Sequence, residues 1–168
     1  AVVASGLNNP RGIDVGANGR VYVAEAGTGR ILRLVAGGTA VVAGGLPSEE
    51  VMEGELSGPV NVAGTGNGNV FALIGAGPRD VDDRFATVRR VTGVKREIAD
   101  IHHYQASDPD PYDSEGLPND SNPYGLEAIG AGRLLVTDAA NNDLLLVKPN
   151  GRTRTVARFP LHVVSTAD

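Results

Sequence analysis

Five acidic residues crowd one stretch of this chain: Asp108, Asp110, Asp113, Glu115 and Asp120 fall between Ser107 and Ser121. Closely spaced carboxylate oxygens are the ligands that a hard cation such as calcium takes. The stretch does not follow the EF-hand order, since Pro109 and Pro111 stiffen it and Gly116 comes after Glu115. A solvated acidic loop is the plainer reading. Immediately upstream stand His102, His103 and Tyr104, and a histidine there could act as a general base or a metal ligand. If the segment is extended, the two histidines point to opposite sides and one alone faces a given site. The remaining histidine, His162, lies far along the chain, so a three-histidine zinc site cannot be assembled. The candidates for ligand or partner binding are therefore His102, His103, Tyr104, Asp108, Asp110 and Asp113.

Two further carboxylate pairs recur at a fixed interval. Asp14 and Glu127 fall on what read as innermost strands, where they could line a channel and hold a cation through oxygen; pairing with a neighbour or with solvent is the structural alternative. Glu25 and Asp138 end equivalent second strands, where a carboxylate accepts backbone N–H groups of the adjoining turn. Gly64 to Gly68 is glycine-rich like a phosphate loop, but no helix follows it, so it reads as a hairpin turn. No serine sits in a nucleophile elbow. The sequence specifies no cofactor, and calcium is the candidate that its oxygen ligands would suit.

The elements that position these residues come from an internal repeat. Asn9 to Leu34 returns as Asn122 to Val147 without a gap, keeping Asn9/Asn122, Pro10/Pro123, Gly12/Gly125, Gly19/Gly132, Arg20/Arg133, Val23/Val136, Ala26/Ala139 and Leu32/Leu145 identical. A more diverged copy is anchored by Pro59 and Gly68. Each copy reads as four short strands separated by Gly- and Asn-rich turns, which is one blade of an all-β propeller. The expected boundaries are a lone outer strand over 1–5, blades over 11–43, 59–101 and 124–158, and an interrupted connection over 159–168. In such a blade alternate turns emerge on opposite faces. The three long connections, 44–58, 75–84 and 102–123, all fall on the same face, which is where function on a rigid repeat scaffold resides. One strand and three blades make about half of a six-bladed ring, so the remaining blades of the same propeller, or a second copy, are expected partners.

Composition is consistent with this reading. The 168 residues include 23 glycines, 10 prolines and no cysteine, and the net charge is −5. Frequent turns and many Val, Leu and Ala favour short strands. The absence of cysteine excludes disulfides and thiol chemistry. Scattered basic residues argue against a nucleic-acid partner, and no apolar run has the length of a membrane-spanning helix.

The unit Asn9-Pro10-Arg11-Gly12-Ile13, followed by Gly19 to Ala26, resembles the NHL-type propeller repeat. The chain as a whole resembles the N-terminal half of the propeller family named after the scytonemin biosynthesis proteins. That resemblance is carried by residues 2–7, Ile98 to Ile101 leading to Tyr104, Ser121 to Leu126, and Thr155 to Pro160. It implies a six-bladed exported bacterial propeller, extracellular or periplasmic, with no activity firmly attached. The chain departs from the family in its short Glu25 to Arg30 turn, which lacks a cysteine-bearing insert. The resulting expectation is a binding or scaffold protein whose long loops form the face for an unknown protein or small molecule. The alternative is a calcium-dependent propeller hydrolase, lactonase or lyase with its site at the central channel.

Overall fold

The computed structural model describes residues 2–113 and 116–160. It contains three four-stranded antiparallel sheets in which sequential strands are neighbours, together with one small hairpin. The first sheet comprises β1 (Pro10–Val15), β2 (Val21–Glu25), β3 (Arg30–Val35) and β4 (Gly38–Ala43). The hairpin of β5 (Glu49–Met52) and β6 (Glu55–Ser57) follows. The second sheet is β7 (Pro59–Gly64), β8 (Val70–Ile74), β9 (Thr87–Arg90) and β10 (Arg96–Asp100). After helix α1 (Ile101–Ser107) comes the third, β11 (Pro123–Ala128), β12 (Leu134–Asp138), β13 (Asp143–Val147) and β14 (Thr153–Arg158). All three expected blades are present. Residues 2–5 form no strand, because a strand needs a partner ladder and none of the described strands supplies one; Val2 and Val3 are exposed.

Apolar residues are buried between sheets, and β8 of the middle sheet is buried along its whole length. Tyr22, Ala24 and Ile31 of the first sheet meet Val62, Ala72 and Ile74 of the second. On the other side, Val60, Phe71, Leu73 and Val88 of the second sheet meet Leu126, Val136 and Leu145 of the third. Each Val, Leu, Ile or Phe side chain so removed from water contributes on the order of 1.5–3 kcal/mol. Ile13 occupies the same repeat position as Val62 and Leu126, yet it is 68% exposed where they are 0% and 7% exposed. Its face of the first sheet has the pattern that the other two sheets bury against a preceding blade. The inner strands approach closely at Gly12, where a Cβ would lie 2.7 Å from Asn61 Cα. Two residues on, Asp14 accepts the Gly64 N–H at 2.7 Å.

Two backbone hydrogen bonds recur in every blade. The residue after the second strand donates to the carbonyl before the first: Ala26 to Asn9, Gly75 to Gly58 and Ala139 to Asn122, at 3.0, 2.9 and 3.0 Å. The residue before the third strand is left-handed in all three, with φ of 57° at Gly29, 54° at Ala86 and 49° at Asn142. Its carbonyl accepts an N–H from just beyond the fourth strand, from Leu46, Ile101 and Phe159 at 3.1, 2.9 and 2.7 Å. These bonds fix where the long connections leave and re-enter each blade.

Two elements depart from the sequence expectation. The connection 44–58 contains the β5–β6 hairpin, and His102 and His103 lie on α1 rather than on an extended segment. Asp100 caps that helix, its side chain accepting the His103 N–H at 2.8 Å.

Gly29→Ala places a Cβ 2.2 Å from the Leu46 carbonyl oxygen at a left-handed backbone position. A loss of roughly 2–4 kcal/mol is expected in urea unfolding. Gly44→Ala, whose nearest neighbour would be Arg30 Cγ at 3.8 Å, should be near neutral.

Candidate functional site

All three long connections contribute to one cavity of about 470 Å³. Its walls are the β5–β6 hairpin, through Glu50, Val51, Met52, Glu55 and Leu56, and the segment Ala76 to Pro78. Asn122 closes one side, and Arg11, Val60 and Tyr124 form the floor. These three floor residues occupy the same repeat position, at the start of β1, β7 and β11, so one register turns all of them toward the meeting point of the inner strands. Arg11 fastens the cavity together. Its guanidinium donates to the Leu56 carbonyl at 3.2 Å and to the Tyr124 hydroxyl at 3.4 Å, joining hairpin, first sheet and third sheet. Glu50 is engaged within the hairpin, accepting the Gly54 N–H at 2.7 Å. The lining is chiefly apolar with a few converging polar groups, the usual constitution of a small-molecule site.

The residues singled out from the sequence lie elsewhere. His103 and Tyr104 border a separate cleft of about 390 Å³ with Glu97, Asp100, Ser107 and Thr153. His102 is half-buried on α1. The Tyr104 hydroxyl donates to Asp108 at 3.0 Å and accepts the Thr155 N–H at 2.8 Å, which docks the helix on β14. Asp108 also meets Arg158 at 3.1 Å. Asp110 is buried and accepts the Tyr112 N–H at 2.9 Å; Asp113 is half-buried and engaged by a neighbour. Asp14 is taken up by Gly64, and Glu127 is exposed. Glu115 and His162 lie outside the described residues. Among the described residues, no three or more His, Cys, Asp or Glu gather around a common metal position. Arg11 and Tyr124 are not marked as site residues by type or motif; their shared repeat position near the head of an inner strand is the signal in the sequence.

The repeated carboxylates differ sharply between blades. Glu25 is buried among donors: Asn8 N–H at 2.9 Å, Arg30 Nε at 2.8 Å, and the Thr28 hydroxyl. Burial works against its charge, but these bonds and the Arg30 cation together hold its carboxyl below the ordinary value. In the third blade, Asp138 accepts from Ser121 Oγ at 2.8 Å, Asn122 N at 2.8 Å and Ala140 N at 3.1 Å. The position of Arg30 is there occupied by Asp143, directly opposite Asp138 in the ladder and equally buried. Burial above all, with the charge of Asp138 adding to it, pushes the Asp143 carboxyl up to about 6, against the hydrogen bonds from Gln105 and Arg158.

An NHL-repeat family model matches residues 7–34, within the first blade. No curated protein matches the chain. Among solved structures, virginiamycin B lyase from Staphylococcus aureus is similar with a TM-score of 0.59 at 19% identity, over 92% of this chain and 42% of that one. A streptogramin B lyase structure gives 0.53 at 17% identity, over 89% and 40%. A putative oxidoreductase (glucose dehydrogenase) from Thermus thermophilus gives 0.54 at 19% identity, over 90% and 46%. The chain thus spans less than half the length of these structures, and at such identities the likeness shows the propeller fold.

Because the Asp143 carboxyl titrates higher in the fold than in the unfolded chain, the fold gains stability from its proton at low pH. That contribution is lost as pH rises from about 4 to about 6 and is absent above. Asp143→Asn should therefore raise stability at neutral pH in metal-free buffer by on the order of 1–3 kcal/mol. The wild-type-minus-variant difference, measured by thermal unfolding from pH 4 to 8, should narrow toward the acid end.

Proposed function

We propose that this propeller binds a small, mainly apolar molecule in the cavity above its inner strands, with Arg11 and Tyr124 holding an oxygen-bearing group of the ligand. The observation that carries this reading is the convergence of all three long connections on one 470 Å³ space. Val51, Met52, Leu56 and Val60 supply apolar surface. The Arg11 guanidinium has donors beyond the two it uses and would meet a carboxylate, sulfonate or carbonyl oxygen. The hairpin carries the wall farthest from the sheets, and its movement would admit a ligand.

Binding is favoured over catalysis because two of the charged residues of the cavity, Arg11 and Glu50, are engaged in holding its walls together, Arg11 on Leu56 and Tyr124 and Glu50 on Gly54. The enzymatic alternative draws its support from the lyases and the putative dehydrogenase that share the fold. Its channel carboxylates are Asp14 and Glu127, and it shares the same face. The resemblance to the scytonemin-type family, with the export that it implies, rests on residues 2–7, Ile98 to Ile101 with Tyr104, Ser121 to Leu126, and Thr155 to Pro160.

The cavity can be probed with 1-anilinonaphthalene-8-sulfonate, an apolar fluorophore bearing a sulfonate. Saturable binding of one equivalent is expected, weakened about tenfold, or about 1.4 kcal/mol, by Arg11→Gln. Met52→Asp should weaken it as well, while Ile13→Asp on the outer face of the first sheet should leave it unchanged. Fluorescence that Ile13→Asp abolishes and Arg11→Gln leaves intact would place the probe on the sheet face and refute the cavity.

A further inference from the structure

The third blade contains a second polar centre, away from the cavity. Carried from the first blade to the third, Glu25, Thr28 and Arg30 become Asp138, Asn141 and Asp143. In the first blade the carboxylate is met by a hydroxyl and a guanidinium, and Arg30 NH2 lies 2.7 Å from Glu25. In the third, the same turn presents oxygen in place of both donors. Asp138 and Asp143 face each other across the ladder, and like charges directly opposite on paired strands repel.

Two buried oxygens there have no hydrogen-bond partner. One is Asn141 Oδ1, on the turn between the two aspartates. The other is Gln105 Oε1, belonging to the amide whose nitrogen lies 3.3 Å from both oxygens of Asp143. Asn141 is 1% exposed and Gln105 is 0% exposed. A buried acceptor without a partner is costly, and this centre holds two, one on the turn and one on α1. The charge is also out of balance. Arg158 is the cation at this centre, 3.4 Å from Asp143, but it is shared with Asp108 at 3.1 Å. Asp108, Asp138 and Asp143 thus set three carboxylates against one guanidinium. Tyr104, Thr155 and Ser121 are uncharged neighbours, and Asp120 stands beside them, its carbonyl accepting from Asn141 Nδ2 and its carboxylate from the Ser121 N–H.

We infer that this centre is a cation site, in which a hard divalent ion, calcium above all, is held by Asp138, Asp143, Asn141 Oδ1 and Gln105 Oε1. The ion takes the place that the Arg30 guanidinium holds in the first blade. It neutralises the facing carboxylates and gives both orphaned amide oxygens a partner, and oxygen-only ligation is what calcium prefers. Gln105 enters by turning its amide so that oxygen faces the ion. Since Gln105 lies on α1, Asp138 ends β12 and Asp143 starts β13, the ion would clamp the 102–123 connection onto the third blade. This differs from the acidic stretch Asp108 to Asp120, and from the channel positions Asp14 and Glu127.

The test is calcium itself, added to the 168-residue chain after chelation. Calorimetry should show one equivalent bound, with a rise of several degrees in Tm at millimolar calcium. Asp143→Asn, which removes a buried charge and so folds, should abolish both. Asn141→Ala should weaken binding about tenfold. Terbium in place of calcium should give tyrosine-sensitised luminescence that Tyr104→Phe diminishes. Failure of wild type to bind calcium stoichiometrically would overturn the proposal. So would binding that survives Asp143→Asn, which would move the ion to the acidic stretch or the channel. A stability that responds to pH and not to calcium would also overturn it, leaving a proton as the neutralising species.

Discussion

The recurring backbone bond from the end of each second strand to the entry of each first strand is the constraint on which the rest depends. Ala26 on Asn9, Gly75 on Gly58 and Ala139 on Asn122 are the same bond made three times. It commits the chain entering a blade to lie beside the chain leaving the second strand. Together with the left-handed residue before each third strand, it brings both ends of every long connection to one side of the sheets. An unpaired buried N–H or carbonyl is costly enough that this geometry tolerates wide change in side chains. Gly29, Ala86 and Asn142 fill one backbone role although only the first is glycine.

With the backbone so fixed, the side chains around the bond became free to diverge, and the three blades solve one problem differently. The first closes the junction with a buried Glu25 and its donors. The second has Ile74 at that position, fully buried, with Ser57 donating to the Ala76 carbonyl. The third keeps the carboxylate as Asp138 but sets a second one, Asp143, opposite it. A motif that is structural in one copy is thereby turned into an electrostatically strained centre in another, at the place where α1 docks.

The same logic explains the cavity. Inner strands that approach closely at Gly12 leave the second side chains of β1, β7 and β11, those of Arg11, Val60 and Tyr124, to converge on one cavity. The hairpin and the Ala76 to Pro78 segment rise around them because their ends are pinned. The NHL-type repeat and the likeness to larger propeller enzymes concern this frame, whereas Arg11, Met52 and Tyr124 concern what the frame holds.

The sequence by itself determined the repeat, the four strands of each blade and the single face on which the long connections emerge, since periodicity and turn residues are local properties. It also placed Glu25 and Asp138 as turn-binding carboxylates. The hairpin within 44–58 escaped it, because its strands are exposed and lack the alternation that marks a buried strand. The short helix at 101–107 escaped it too, as the preceding strand pattern runs into it and Asp100 as its cap was the one local sign. Only the tertiary structure decided that His102, His103 and the acidic residues stand apart from the cavity. It alone joined Arg11 to Tyr124 over 113 residues of chain, and Gln105 to Asp143 from different elements. Contacts of that kind depend on how blades stack and where a helix docks, and no spacing along the chain encodes them directly.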